Sequence, residues 1–430
     1  MKRLAGVLEA VGTRANVVLA FANTARGRRE TEELRAFTAD FDRRIGALVE
    51  SLAAGTWAPS GYRRFVVHDP KERTIHAAPF ADRVAHHALM NVAGPWLERG
   101  AFFHSYACRK GKGNLAAVRH AAAQTRHHRY FLKLDVRKYF DSVDHGVLAD
   151  LLRRQFKDGG FLDLMRRLID SYHETPGRGL PIGTLVSQYL AKFYLDGLDR
   201  WVSGHLKCGS YVRYMDDMVL WHDDAERLAS WDGEIARRLG ESRGLTLKAH
   251  SGPRPTREGV AFLGYRITPQ GICLSRMARH RFRSRLGACE SAYEAGELTS
   301  TGLQRRVDAL LAFIQVARCR RWRQRLLAGD LRGPDRPGAS CAAARGTTTP
   351  ATAAPPAATG TTPTTAGTTR ACVWPQLTRG ADTPRLTRSA DCPGAAGTGE
   401  GSSGTGREAG QPQPNVPGDP LLFQGDLFRP

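Results

Sequence analysis

The chain has 430 residues, of which 63 are Lys or Arg and 42 are Asp or Glu, giving a formal net charge of +21. It has no run of 18 apolar residues, so no membrane partner is expected, and its 8 cysteines form no CxxC pair, which argues against a zinc site and fits a reduced cytoplasm. Residues 330–430 hold nine Arg, no Lys and eight acids, so +20 of the charge lies in residues 1–329 and indicates a polyanionic partner, most often nucleic acid.

The first part of the chain is predicted to be mainly helical. Apolar residues recur at i, i+3 and i+4 over residues 14–54, which predicts a helical N-terminal extension ending near residue 60. Residues 62–80 predict two short strands around a polar turn at 69–72. A further helix is predicted over residues 81–99.

An acidic residue ends a predicted strand near the middle of the chain. Residues 130–136 predict a strand that carries Asp135 near its end. A turn follows, and then a helix that Asp141 or Ser142 would cap, with its apolar side chains on one face. The pattern therefore places a carboxylate at a strand end.

Two adjacent acids interrupt a second apolar segment. Residues 211–221 predict a hairpin whose tip carries Asp216 and Asp217. Adjacent carboxylates inside an apolar β-rich run are costly unless a cation neutralises them. With Asp135 as a third acid they predict a site for two Mg²⁺ ions, for which Mn²⁺ could substitute, as in enzymes of in-line phosphoryl displacement. The alternative interpretation is an ordinary exposed turn.

Two different segments make up the last third of the chain. Residues 275–329 alternate basic and apolar positions and predict two basic amphipathic helices, either with a solvated outer face or facing nucleic acid. Residues 330–430 are rich in Thr, Gly, Ala and Pro, a composition typical of disorder. The Thr runs near 345–372 have two equally good interpretations. One is a disordered linker. The other is an out-of-frame translation of a DNA repeat rich in AAY codons, because AAC repeats read one base forward become ACA codons for Thr.

Two motifs resemble those of one enzyme family. Tyr214-Met215-Asp216-Asp217 resembles the YxDD box of reverse transcriptases, and the segment LDVRKYFDSVDH resembles their first catalytic motif. The resemblance extends over roughly residues 15–329. It implies RNA-templated DNA synthesis from deoxynucleoside triphosphates, with template RNA and the RNA–DNA hybrid as partners.

The resemblance implies an α+β fold of the right-hand polymerase type, with a disordered C-terminal tail. Its parts are expected in chain order, and we assign them as follows: an N-terminal helical extension at 1–60, fingers at 61–130, palm with part of the fingers at 131–265, a basic helical thumb at 266–329 and the tail at 330–430.

The resemblance also implies roles for residues near the acids. The family's metal ligands fall on Asp135, Asp216 and Asp217, with the backbone carbonyl of Val136 added. Phe140 falls on the position whose ring selects deoxynucleotides, although an aromatic core residue is the competing interpretation.

Basic residues on either side of this motif are expected to contact phosphates. Lys71 and Arg73 fall where the family's fingers strands bind the incoming triphosphate, for which the planar guanidinium is well suited; surface charge is the alternative. Lys248 is a candidate for protonating pyrophosphate and equally a candidate surface lysine.

Contacts with template and primer are implied for two further segments and the YxDD box. The fingers segment 105–118 would approach a template phosphate, and the FLGY segment resembles the primer-grip hairpin. The residues implied in nucleic-acid binding are Arg109, Lys110, Lys112, Tyr214, Met215, Phe262, Leu263, Gly264 and Tyr265.

The segment 178–200 discriminates among reverse transcriptases. Thr184 is predicted to cap a helix that begins with Ser187-Gln188, as in the enzymes of diversity-generating retroelements, which usually have Asn in place of this Thr. Ile182 stands where accurate relatives place Gln against the incoming nucleotide, so both Ile182 and Gln188 are assigned to dNTP binding, and Ile182 is expected to loosen selection opposite template adenine.

This subtype implies a small basic accessory variability protein as partner. A defence-associated or retron-like reverse transcriptase is the enzymatic alternative, and a nucleic-acid-binding protein with an inactive polymerase fold is the non-enzymatic one. A group II intron maturase fits less well, since residues 330–430 show no basic maturase domain and no HNH-type zinc cluster.

Overall fold

The computed structural model describes residues 2–26, 31–68 and 72–327. Lys71 and the tail predicted at 330–430 lie outside the described residues. None of the helices in these three ranges is both long and apolar enough to span a membrane.

Helices make up most of the described chain. In chain order they are α1 (Val7–Val11), α2 (Arg14–Ala25), α3 (Glu32–Ala39), α4 (Phe41–Ala53), α5 (Phe80–Arg99), α6 (Asn114–His127), α7 (Tyr139–Ser142), α8 (His145–Arg153), α9 (Gly159–Ile169), α10 (Leu185–Gly204), α11 (Ala225–Arg243), α12 (Arg276–Glu294), α13 (Ser300–Gln315) and α14 (Arg320–Leu327).

The strands form three antiparallel sheets. They are β1 (Arg63–His68), β2 (Glu72–Ala77), β3 (Tyr130–Asp135), β4 (Tyr211–Tyr214), β5 (Asp217–His222), β6 (Arg254–Pro255), β7 (Val260–Phe262), β8 (Tyr265–Thr268) and β9 (Gly271–Leu274). The sheet orders are β1-β2, β4-β5-β3-β6 and β7-β8-β9. The four-stranded sheet carries all three predicted catalytic acids at one end, and we call it the central sheet.

The central sheet separates two apolar clusters, because successive side chains on a strand point to opposite faces. On one face, Leu132 and Leu134 join the buried side chains of α5, α8, α10 and α11. On the other face, Phe131 and Trp221 join those of α6, β7, β8, β9 and α12. Both faces are covered, which fixes the register of β3 and β5 and therefore the height at which their terminal acids meet.

Several local predictions hold. The helical extension, the paired strands β1 and β2, and the hairpin with acids at its tip are all present. Thr184 caps α10 by accepting a hydrogen bond from the Ser187 amide at 3.2 Å. The α+β right-hand polymerase fold class is confirmed, whereas the boundaries of fingers, palm and thumb stay predictions.

Three local predictions were wrong. The helix after Asp135 is capped by neither Asp141 nor Ser142, which lie in the short helix α7; instead Asp144 accepts a hydrogen bond from the Val147 amide at 3.0 Å. The break occurs because Val143 is extended between the two helices.

The segment predicted as two basic helices, 275–329, contains three within its described part. The chain turns between α13 and α14 because the Arg318 amide donates to the Ile272 carbonyl at 2.7 Å, which ties this point to β9. The stretch 266–274, assigned to a helical thumb, is mostly strand.

Candidate active site

The tip of the β4–β5 hairpin presents two of the three acids. Tyr214 pairs with Asp217, so Met215 and Asp216 form a two-residue turn. Met215 has φ +58°, in the left-handed region that non-glycine residues seldom adopt. The turn therefore holds Asp216 by a backbone conformation that its surroundings must stabilise.

The third acid faces this tip from the neighbouring strand. Asp135 is the register partner of Asp217 across β3 and β5. Burial raises the pKa of Asp216, and the nearby Asp135 carboxylate raises it further. Burial raises the pKa of Asp217 to about 7, although Lys133 opposes the shift. Asp216 and Asp217 are thus poorly solvated, and Asp135 lies beside them on the neighbouring strand.

Two lysines contact these carboxylates. Lys248 lies 2.7 Å from Asp135 Oδ1 through its ammonium group, and its amide donates to the Asp135 carbonyl at 2.8 Å. Lys133 lies 3.3 Å from Asp217 Oδ2. The sequence singled out Lys248 but missed Lys133, whose signal was its position two residues before Asp135 and so on the same strand face.

The three acids fit a divalent cation by their chemistry. Within the described ranges, no group of three or more His, Cys, Asp or Glu side chains is already arranged to hold a metal. However, Asp217 Oδ1 is buried without a hydrogen-bond partner, which leaves a hard oxygen in need of a positive partner. Val136, the predicted backbone ligand, follows Asp135 directly and pairs with Leu247.

The predicted nucleotide-binding residues are connected through one loop. The Phe140 carbonyl accepts from the Leu180 amide at 2.9 Å, which places this half-buried ring beside the loop that leads into α10. The Ile182 carbonyl accepts from the His76 amide at 2.8 Å. Since His76 lies on β2, this bond ties the loop to the strand that carries the exposed Arg73.

Gln188 has a different neighbour. It lies in the first turn of α10, and its Oε1 accepts from the Cys108 thiol at 3.5 Å. Cys108 has φ +51°. The side-chain amide of Gln188 is therefore linked to the 105–118 segment through Cys108.

The cations of the 105–118 segment have unequal access to solvent. Arg109 donates through Nη1 to the carbonyls of Phe102 and Ser105 at 2.7 and 2.9 Å, so this guanidinium nitrogen holds its own loop. Lys112 donates to the Phe103 carbonyl and lies 3.6 Å above that ring, and burial lowers its pKa to about 8. Lys110 is exposed, which makes it the best placed of the three for a template phosphate.

The FLGY segment forms a hairpin, but its rings face inward. Phe262 and Tyr265 are each 1% exposed, so their side chains belong to the core and are not available to a primer. The turn itself consists of Leu263 and Gly264, both with positive φ. Of the four predicted primer-grip residues, these two are the ones left as candidates for primer contact. The ring of Tyr214 is also buried.

A buried charge network beneath the hairpin was missed by the sequence reasoning. Arg213 is 0% exposed and forms ion pairs with Asp196 and Asp199 of α10. Its signal was an arginine inside a buried strand, together with two acids spaced i, i+3 in a helix whose buried residues are mostly apolar. Buried charges at such positions need partners, and here they find one another.

Comparison with known proteins shows which family part of the chain is similar to. Residues 69–275 match the family model described as "Reverse transcriptase (RNA-dependent DNA polymerase)". The chain is 22% identical over 279 residues to the putative COX1/OXI3 intron 2 protein of Saccharomyces cerevisiae, covering 49% of this chain and 31% of that protein.

Two bacterial proteins show similar identity. The group II intron-encoded protein LtrA of Lactococcus lactis is 25% identical over 171 residues, which covers 37% of this chain and 28% of LtrA. Protein YkfC of Escherichia coli is 26% identical over 267 residues, covering 51% of this chain and 70% of YkfC. The chain thus spans less than a third of the two intron-encoded relatives.

A solved structure shows only a distant likeness. Telomerase from Candida albicans, in complex with a fragment of telomeric RNA, superposes with a TM-score of 0.41 at 11% identity, covering 64% of this chain and 57% of that one. The similarity to reverse transcriptases rests instead on the sequence match, which spans all three acids and the loop before α10. Residues 69–275 are therefore similar in sequence to the reverse transcriptase (RNA-dependent DNA polymerase) family.

Proposed function

We propose that the chain extends a primer with deoxynucleotides on an RNA template. One observation carries the proposal: within a reverse transcriptase domain, Asp135, Asp216 and Asp217 meet at the end of the central sheet, and a buried oxygen of Asp217 lacks a partner. Mg²⁺ ions at these carboxylates would activate the primer 3′-hydroxyl and hold the triphosphate. Mn²⁺, with similar oxygen chemistry, is expected to substitute.

The protein's own groups supply binding and selection. The exposed Arg73 guanidinium binds triphosphate oxygens, for which its planar fork is suited. The Phe140 ring would exclude a ribose 2′-hydroxyl by steric contact. The Lys248 ammonium, held beside Asp135, carries a proton close to where pyrophosphate departs.

The basic charge of the chain suits template RNA and the RNA–DNA hybrid. Neutralising phosphates releases condensed counterions, so hybrid affinity should fall steeply as salt rises. A weak salt dependence would contradict this use of the charge.

The experiment is primer extension on a defined RNA template. Wild-type protein should extend in Mg²⁺ and stop in EDTA, and the variant Asp216→Asn/Asp217→Asn should not extend. Activity that survives this double substitution would move the chemistry elsewhere. No extension by wild type under any condition would favour the inactive-fold alternative, a nucleic-acid-binding protein.

We propose further that the enzyme is error-prone and belongs to a diversity-generating retroelement, working with a small basic accessory protein. The apolar Ile182 side chain supports this, because it cannot hydrogen-bond a nucleotide base as a Gln there could. The loop that carries it is tied through the His76 amide to β2, the strand that also carries Arg73.

Sequencing the extension products tests this subtype. Wild type should misincorporate mainly opposite template adenine, and Ile182→Gln should reduce those errors, whereas Ile182→Val should keep them. An unchanged error spectrum in Ile182→Gln would contradict the proposed role of Ile182. Faithful extension by wild type would favour a defence-associated, retron-like or intron-type enzyme, the last of these being suggested by the names of two relatives.

A further inference from the structure

We propose that Arg213 is a positioning residue that holds the catalytic hairpin in its working conformation by binding the Met215 carbonyl. The inference rests on the proposed function, because it assigns a role relative to Asp216 and Asp217. It adds a residue that touches neither substrate nor metal and acts through the backbone of the tip.

The Arg213 guanidinium joins the hairpin to α10. Its Nη1 donates to the Met215 carbonyl at 3.0 Å. Its Nε donates to Asp199 at 2.7 and 2.9 Å, and its Nη2 lies 3.0 Å from Asp196 and 2.5 Å from Asp199. A planar group with five donors can satisfy all these acceptors at once, which the ammonium of lysine cannot.

The bonded carbonyl is the one that controls the next residue. The Met215 carbonyl and the Asp216 amide belong to one planar peptide unit, so fixing the oxygen fixes the orientation of that plane. Met215 also holds φ +58°, a conformation that costs energy for a side chain of its size. The bond from Arg213 is thus placed where the strained tip needs support.

The other end of the network is anchored in the core. Asp199 also accepts a hydrogen bond from the Tyr211 hydroxyl at 2.8 Å, and both Asp199 and Arg213 are fully buried. Burial raises the pKa of Asp196, so one guanidinium can face two acids without a large excess of negative charge. Because the charged groups are shielded from water and paired, their hydrogen bonds are strong and hold the network in one geometry.

A residue with only a structural role would show a different signature. Removing a buried charge destabilises any fold. A positioning role predicts instead a fall in kcat that exceeds what the loss of stability explains, with little change in the KM for dNTP.

The test compares Arg213→Lys with Ile45→Ala. Ile45 is buried in α4, which packs against α1, α2 and α3 and so lies among the N-terminal helices. Its truncation lowers the melting temperature without touching the hairpin. Each variant is assayed by primer extension well below its melting temperature, and by hydrogen exchange of the amides in residues 211–218.

For Arg213→Lys, kcat should fall on the order of 100-fold, because small displacements of reacting groups have effects of this size. The KM for dNTP should stay within about threefold of the wild-type value. Amides in residues 211–218 should exchange faster. In Ile45→Ala, both kcat and hairpin exchange should match the wild type.

If Arg213→Lys does not fold, Asp199→Asn replaces it. This isosteric change weakens the anchor and should give an intermediate fall in kcat with the same faster exchange. Hairpin exchange equal to that of Ile45→Ala in both Arg213→Lys and Asp199→Asn would overturn the proposal. Hydrogen exchange does not need activity, so the proposal can fail while wild-type extension succeeds, and the reverse.

Discussion

The β1–β2 and β4–β5 hairpins both carry predicted site residues, and they are built in opposite ways. All four residues of β4 are buried, and β5 is buried between its two ends. Strand β1 has no buried residue, and β2 buries only Ile75 and His76. The β4–β5 hairpin belongs to a four-stranded sheet, whereas β1 and β2 form a sheet of two strands.

The difference matches the two tasks. Carboxylates that share metal ions, the role proposed for Asp216 and Asp217, must keep a fixed separation, and these two lie on a buried hairpin that Arg213 ties to α10. The cation proposed to meet each incoming triphosphate needs access, and Arg73 is exposed on a hairpin in whose two strands only Ile75 and His76 are buried. Rigidity therefore belongs to the acids and accessibility to the cation.

The largest effect should follow from Asp217→Asn. Loss of one carboxylate from the buried hairpin should lower kcat by on the order of 1,000-fold or more, because charge stabilisation in such a site is lost outright. The matched control is Asp223→Asn, just beyond the other end of β5, where the side chain is exposed. Single-turnover primer extension measures the rates of both variants. Equal rates would contradict a special role for the acids of the buried hairpin.

The next effect concerns sugar selection. Phe140→Ala should reduce the preference for deoxynucleotides over ribonucleotides by about 10- to 100-fold, because a steric filter is removed. Phe140→Tyr keeps the ring and should keep the preference. The measurement is the ratio of kcat/KM for deoxynucleotides to kcat/KM for ribonucleotides. If this ratio is unchanged in Phe140→Ala, the ring is a core residue and not a sugar filter.

A smaller effect is expected on the exposed hairpin. Arg73→Ala should raise the KM for dNTP about tenfold, equivalent to about 1.4 kcal/mol, with little change in kcat. Arg63→Ala removes the same charge at the far end of β1, opposite Ala77, and should leave KM unchanged. Equal effects in the two variants would reduce Arg73 to general surface charge.

The smallest expected effect is a pH dependence of stability in the β1–β2 hairpin. Burial lowers the pKa of His76, with Arg64 adding to the shift, and Nδ1 of the ring has no hydrogen-bond partner. The folded state therefore binds fewer protons than the unfolded state, so the stability of β2 is present above pH 6.5, the unperturbed value, and is lost as the pH falls below it.

Hydrogen-exchange protection, corrected for intrinsic rates, measures this effect at pH 7.5 and 5.5. Protection of β2 should fall at the lower pH in the wild type and stay level in His76→Gln. A fall of the same size in His76→Gln would remove His76 as the cause.

Sequence patterns predicted the features that depend on local residues. Asp135 at a strand end and Asp216–Asp217 at a hairpin tip follow from alternation and turn position, which are readable over ten residues. The cap of α8 was misplaced because it depends on the extended backbone at Val143, which no side-chain pattern marks.

Features that depend on packing between distant segments were not predictable. Arg213 meets acids 14 and 17 residues earlier in the chain only after α10 packs under the hairpin. Phe262 and Tyr265 were assigned to primer contact, yet the fold buries both rings. Lys133 bonds to the Ala261 carbonyl at 2.7 Å, a contact across 128 residues.

Counting bound Mn²⁺ tests the central claim, that the buried acidic hairpin is the metal centre of a polymerase. Electron paramagnetic resonance would measure Mn²⁺ bound to the protein with an RNA template, a DNA primer and a dNTP analogue that cannot react. We expect two bound ions in the wild type and in Asp223→Asn, and fewer in Asp217→Asn. The same number of ions in all three proteins would contradict it.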